Sequence, residues 1–156
     1  MNDAHWMRLA IAKAREGVAR GQSPFGAAIV RDGQLIACEH NLVLATTDIT
    51  AHAEVTAIRR ACAAVNDIHL PRCTIYSTCE PCPMCFSAIH WARISTIVFG
   101  ARIGDAQELG FSELTIPNEV MKREGGSPVV LVPDFLREEC LALFREFAKR
   151  PDRRTY

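Results

Sequence analysis

The sequence predicts one α/β sheet layered by helices. Strands alternate with helical stretches after an initial hairpin. An Asp-Gly dipeptide, Asp32-Gly33, parts two apolar runs. The 156 residues match one domain with one core, so a single domain over 1–156 is expected.

Met1 to Arg20 places Trp6, Leu9, Ala10 and Val18 at roughly helical spacing, and Gly21 ends it. Pro24 to Val30 reads as a buried strand, Arg31 to Gln34 as a hairpin turn and Leu35 to His40 as the returning strand. Asn41 to Thr50 is polar and aperiodic, hence a loop. Ala51 to Val65 is an alanine-rich helix, with Val55, Ile58 and Cys62 on one face, and Pro71 breaks the chain before the next element. Cys73 to Ser77 is a short strand, Pro83 to Ala92 a core helix and Ser95 to Ala101 a third apolar strand. Ile103 to Leu109 suits a short helix. Residues 112–128 look irregular except for Met121 to Arg123, and Val129 to Val132 is a strand. Pro133-Asp134 opens an amphipathic helix through Leu136, Cys140, Leu143, Phe144 and Phe147, and a basic, polar tail runs from Lys149 to Tyr156.

Apolar residues make up 49% and charged residues 23%, an ordinary globular composition. Eighteen basic and eighteen acidic residues cancel, which argues against a polybasic nucleic-acid binder. Met1 to Ala10 carries Asp3 and Arg8 and no apolar core segment, so no secretory signal is expected. No stretch approaches the roughly 18 apolar residues of a membrane span. A cytoplasmic protein is expected.

Seven cysteines in such a chain point to metal binding or catalysis rather than disulfides. Two motifs stand out: His52-Ala53-Glu54 and, about thirty residues on, Pro81-Cys82-Pro83-Met84-Cys85. The pair matches the His-x-Glu and Pro-Cys-x-x-Cys pattern of zinc-dependent deaminases. Zinc in catalytic sites takes three nitrogen or thiolate ligands from protein and leaves a fourth position to water, whose pKa it lowers to roughly 7. His52, Cys82 and Cys85 supply three. Cys82 and Cys85 are three apart, so one helical turn points both at one ion. Pro83 suits the first position of that helix, and His52 opens its own. Two helix N-termini thus converge on the metal and favour thiolate over thiol. Glu54 is placed to take a proton from water and return it to a ring nitrogen and then to a departing amine. The expected reaction is attack of hydroxide on an amidine-type carbon, with loss of ammonia.

The competing reading, a structural zinc site, needs four protein ligands where three appear. Cys38, Cys62, Cys73 and Cys140 read as small core residues. Cys79 is near enough to compete as a ligand, but a turn containing Pro81 intervenes. His5, His40, His69 and His90 lack ligand spacing. Trp91 reads equally as core or substrate wall. Lys149, Arg150, Arg153 and Arg154 read as a solvated tail, with phosphate contact as the alternative.

These motifs, with Pro24-Phe25-Gly26-Ala27, Thr50 to Arg59, Cys79 to Cys85, Ala88 to Arg93, Asp105-Ala106, Gly110-Phe111 and the terminal tyrosine, resemble the cytidine deaminase superfamily over nearly the full length. Within it the chain is most similar to small bacterial guanine deaminases. That resemblance implies a three-layer fold, a mixed sheet of about five strands between helices. It implies Zn2+ as cofactor, a free nucleobase as substrate, and conversion of guanine to xanthine plus ammonia. It also implies substrate contacts from Phe25, Asn41, Ala53, Trp91 and Tyr156, with the Cys82 backbone N–H holding developing charge. The implied assembly is a homodimer, in which the C-terminal segment can cross so that Tyr156 closes the partner's site.

One departure bears on substrate. The guanine deaminases carry two aspartates after Gly-Phe, the second assisting proton transfer, whereas this chain has Ser112-Glu113. Glu113 keeps the carboxylate, which accepts hydrogen bonds from purine N–H groups. The alternatives are a tRNA adenosine deaminase, similar through Ala92-Arg93-Ile94, Ile97 to Ala101 and the last helix, a nucleoside or triazine deaminase, and a non-catalytic zinc-containing binding protein. Phe25 and the neutral charge argue against the first, and the intact Glu54 against the last.

Overall fold

A computed structural model describes residues 2–156; Met1, expected at the start of the first helix, lies outside them. The elements are α1 (Asp3–Ala19), β1 (Gly26–Arg31), β2 (Gln34–His40), α2 (Val43–Thr46), α3 (Ala53–Val65), β3 (Cys73–Cys79), α4 (Pro83–Trp91), β4 (Thr96–Ala101), α5 (Ile103–Leu109), α6 (Asn118–Gly125), β5 (Val130–Val132) and α7 (Arg137–Ala148). Asp32 and Gly33 both have positive φ, as a two-residue hairpin turn requires.

The five strands form one sheet in the order β2-β1-β3-β4-β5. β1 is antiparallel to both β2 and β3, whereas β3–β4 and β4–β5 are parallel, so the sheet is mixed as expected. Alternate strand residues feed two cores. Ala27, Ile29, Ile75, Ile97 and Phe99 meet Ala53, Ala57, Ala61, Phe86 and Ile89 of α3 and α4 on one face. Ala28, Val30, Tyr76 and Val98 meet Met7, Ala10, Ala14, Cys140 and Leu143 of α1 and α7 on the other. This is the three-layer architecture, and among the described residues no helix is long and apolar enough to cross a membrane.

Three boundaries differ from expectation. The 41–50 loop contains α2, anchored where Asn41 Oδ1 accepts the Val43 N–H at 3.0 Å. The stretch expected to be irregular holds all of α6. The last helix begins at Arg137 rather than Pro133, because Asp134 and Leu136 adopt positive φ and Arg102 holds the Asp134 carboxylate through two bonds of 2.9 and 2.7 Å.

Candidate active site

β2 and β3 both run antiparallel to β1, so α3 and α4, which follow them, start at the same edge of the sheet. His52 and Cys82 are the N-cap residues of these helices, in extended backbone conformation, and Pro83 fills the first turn of α4. His52 Nδ1 faces both thiols, 3.7 Å from Cys82 Sγ and 3.5 Å from Cys85 Sγ, and one ligand atom from each residue lies within 4.8 Å of the others. Ideal tetrahedral zinc, with bonds of about 2.3 Å to sulfur and 2.0 Å to nitrogen, sets nitrogen and sulfur about 3.5 Å apart. The donor set therefore fits zinc in identity and in spacing. Cys82 is pulled down to about 4, first by the hydrogen bond from the Cys85 thiol and then by His52. Cys85 is pushed up by the same contact and by burial. A dication would hold both as thiolates.

Glu54 sits in the first turn of α3, buried next to this cluster. Burial raises its carboxyl. Its Oε1 lies 3.0 Å from Ser77 Oγ, and its Oε2 3.6 Å from Cys85 Sγ. Ser77 Oγ is also 2.6 Å from the Cys79 carbonyl. The hydroxyl has one proton, so it either donates to a Glu54 carboxylate or donates to Cys79 and accepts from a protonated Glu54.

Above the cluster is a cavity of about 380 Å³, lined among others by Phe25, Asn41, His52, Glu54, Cys82, Phe111, Glu113 and Tyr156. The volume is that of a small-molecule site, roughly 300–1,000 Å³. Phe25, Phe111 and Tyr156 form an edge-to-face series with centroids 5.1 and 5.2 Å apart. The Tyr156 ring lies 6.4 Å from that of His52, and its hydroxyl accepts from Asn41 Nδ2 at 2.9 Å. The Ser112 N–H donates to the Tyr156 backbone oxygen at 2.8 Å. Glu113 is pushed up to about 7, chiefly by burial and then by the negative charge at Cys82 and Glu54.

The fold thus brings together His52, Cys82, Cys85, Glu54, Glu113, Phe25, Asn41 and Tyr156. Two expected substrate contacts are not in this cavity. Ala53, the first residue of α3, is fully buried in the core. Trp91 is 79% exposed at the far end of α4, two turns from Cys85, beside a separate groove with His90 and Arg93. The tail, expected to be able to cross to a partner, here returns to its own chain. Cys79 is buried and aims its thiol at the Arg102 carbonyl, away from the metal cluster. The sequence alone assigns no role to Ser77, which contacts Glu54, or to Glu80 and Asn118, which hold the surrounding loops; only Glu80-Pro81, next to the metal motif, hints at one.

The chain belongs to the cytidine and deoxycytidylate deaminase zinc-binding family, whose profile matches residues 1–101. It is a zinc-dependent deaminase, a hydrolase acting on carbon–nitrogen bonds. It is 46% identical over 123 residues to the guanine deaminase of Bacillus subtilis (strain 168), covering 78% of this chain and 79% of that one. It is 35% identical over 152 residues to the tRNA-specific adenosine deaminase of the same organism, covering 95% and 92%. Its structure superposes on that of a guanine deaminase from Nitrosomonas europaea with a TM-score of 0.87 at 29% identity, covering 96% of this chain and 86% of that one.

Proposed function

We propose that the chain deaminates guanine, consuming one water and releasing xanthine and ammonia. The observation that carries this reading is a cavity of small-molecule size, about 380 Å³, over the metal cluster. Tyr156, bonded to Asn41, lines it together with Phe25, Phe111 and Glu113, which suits a planar ring with N–H groups. The identity to a guanine deaminase over most of both chains supports it.

Zinc held by His52, Cys82 and Cys85 would supply an acidified water and a positive charge at the reacting carbon. The side chains supply the rest. Asn41 Oδ1 is committed to the Val43 N–H, so the amide presents Nδ2 as a donor to a ring acceptor. Glu113 accepts from ring N–H groups when ionised and can donate when protonated, a balance that its raised pKa allows. Glu54 carries one proton to the ring nitrogen and a second to the leaving amine, and Ser77 matches either protonation state. The Cys82 backbone N–H holds the developing charge. Phe25, Phe111 and Tyr156 exclude water from the ring.

Near full-length similarity to a tRNA-specific adenosine deaminase favours a second reading, in which an RNA strand displaces the tail. Ammonia release from zinc-loaded protein separates the two. The panel holds guanine, guanosine, adenine, cytosine, cytidine, a triazine and a tRNA anticodon stem-loop, with Glu54→Ala as control. Release from guanine alone supports the proposal. Release from the stem-loop, with binding that falls steeply as salt rises, replaces it with the second reading. Release from another ring keeps the chemistry and moves the specificity, and silence with zinc bound favours a binding protein.

The same reading carries a homodimer, supported by Trp91 and Val130 exposed along one groove, and a cytoplasmic site, supported by the seven cysteines of the sequence. A monomer in analytical ultracentrifugation would remove the dimer.

A further inference from the structure

Glu113 stands on a segment, residues 110–117, with no helix or strand of its own. Its placement therefore depends on its anchors, α5 before it and α6 after it. Both anchors are held by one buried side chain. Glu80 Oε1 accepts the Ile103 N–H at 3.1 Å, and Glu80 Oε2 accepts the Asn118 N–H at 2.8 Å. These are the first N–H groups of α5 and of α6, donors that no helix satisfies internally.

Asn118 extends the contact to the metal loop. It is fully buried, and its Nδ2 donates to the Pro81 carbonyl at 2.7 Å. The Pro81 carbonyl and the Cys82 N–H belong to one planar peptide unit, so holding the oxygen sets the direction of the N–H. Among the described residues Asn118 Oδ1 has no hydrogen-bond partner.

We propose that Glu80 and Asn118 form a clamp that holds the Glu113 segment in register with the Cys82 peptide, which makes both of them positioning residues of the deaminase site. The clamp rests on the reading of the cavity as that site. It explains how a carboxylate on an irregular loop can face a cluster built on two helices. It also explains why Glu80 stands two residues before Cys82: β3 delivers both, one to the loops and one to the ion.

The test uses zinc-loaded Asn118→Ala and Glu80→Gln, with Met121→Ala as a control that loosens α6 packing without touching either bond. Hydrogen exchange of the 110–116 amides should rise about tenfold in both clamp variants, with α1 and α7 unchanged and zinc at about one per chain. With the ring that the wild type deaminates, kcat should fall about tenfold and KM shift less than about twofold, as for a misaimed transition-state donor. Met121→Ala should keep the parent's kcat. Unchanged exchange, zinc loss, or a kcat loss shared by Met121→Ala overturns the clamp. If the wild type releases ammonia from no ring, the proposed function falls, and exchange alone decides: faster exchange at 110–116 in both variants supports the clamp, and unchanged exchange overturns it.

Discussion

The Tyr156 hydroxyl and Asn41 Nδ2 meet at 2.9 Å across 115 residues of chain. The other end of the Asn41 amide is taken by Val43, so this bond is the tail's polar hold on a residue that faces the substrate. Tyr156→Phe keeps the ring and removes the hold. We expect kcat/KM to fall about tenfold, the worth of one hydrogen bond, with zinc content unchanged. Steady-state kinetics beside metal analysis check this, and an unaltered kcat/KM would show that the tail only packs.

Glu54 and the three ligands should separate cleanly. Glu54→Gln is expected to keep zinc and lose about 10²- to 10⁴-fold in kcat. Cys82→Ala is expected to lose zinc and turnover together. An active, metal-free Cys82→Ala protein would refute the ligand set.

Ser77 offers a subtler case, since its hydroxyl serves both protonation states of Glu54. Ser77→Ala should lower kcat about tenfold with little change in KM. Ser77→Thr, which retains the hydroxyl, should restore most of the loss. Equal rates in Ser77→Ala and the parent would remove Ser77 from the proton path.

Gly26 lies where β1 crosses under α1. A Cβ there would collide with the Ala10 carbonyl and sit 3.0 Å from the Ala14 nitrogen, both backbone atoms that cannot swing aside. Gly26→Ala should therefore cost about 2–3 kcal/mol, a Tm loss of about 5–10 °C. A differential scan with unchanged Tm would mean that the helix shifts at no cost.

Acid should expose the tie between α5 and α7. Burial alone would push the Asp105 carboxyl up, but the Arg137 guanidinium, bonded at 2.7 and 3.0 Å, holds it below the usual carboxylate range. A lowered folded pKa stabilises fully above the unfolded value, near 3.9, and the contribution is lost as pH falls through the folded value. Arg137→Met should thus be less stable than the parent at pH 7, by about 1–3 °C, and converge with it toward pH 3. Tm curves that stay parallel down to pH 3 would contradict the assignment.

Where a local signal existed, the sequence carried the answer. Asp32-Gly33 specified the hairpin, and the run from Pro24 to Val30 forecast a buried strand, which the structure starts at Gly26. The two metal motifs, at the starts of α3 and α4, were readable because chemistry demands their residue types at fixed spacing. Features made by distant partners were not. α6 takes its start from Glu80, 38 residues earlier. α7 starts late because Arg102, 32 residues before Asp134, holds the preceding turn. Trp91 is the last residue of the ligand helix, but a helix carries its two ends apart, and proximity along the chain gave no proximity to the cavity. The path of Tyr156 depends on Asn41 and Ser112, which no periodicity connects to the tail.

The ligands also have a mechanical meaning. His52 stands on one side of an interval of about thirty residues that holds α3 and β3, and Cys82 stands on the other. An ion joining them works as a staple. Closing a loop of that length in an unfolded chain removes conformational freedom worth about 3–4 kcal/mol. Stripping the metal should therefore lower the melting temperature as well as abolish turnover, so that cells short of zinc would hold less of this protein as well as less of its activity.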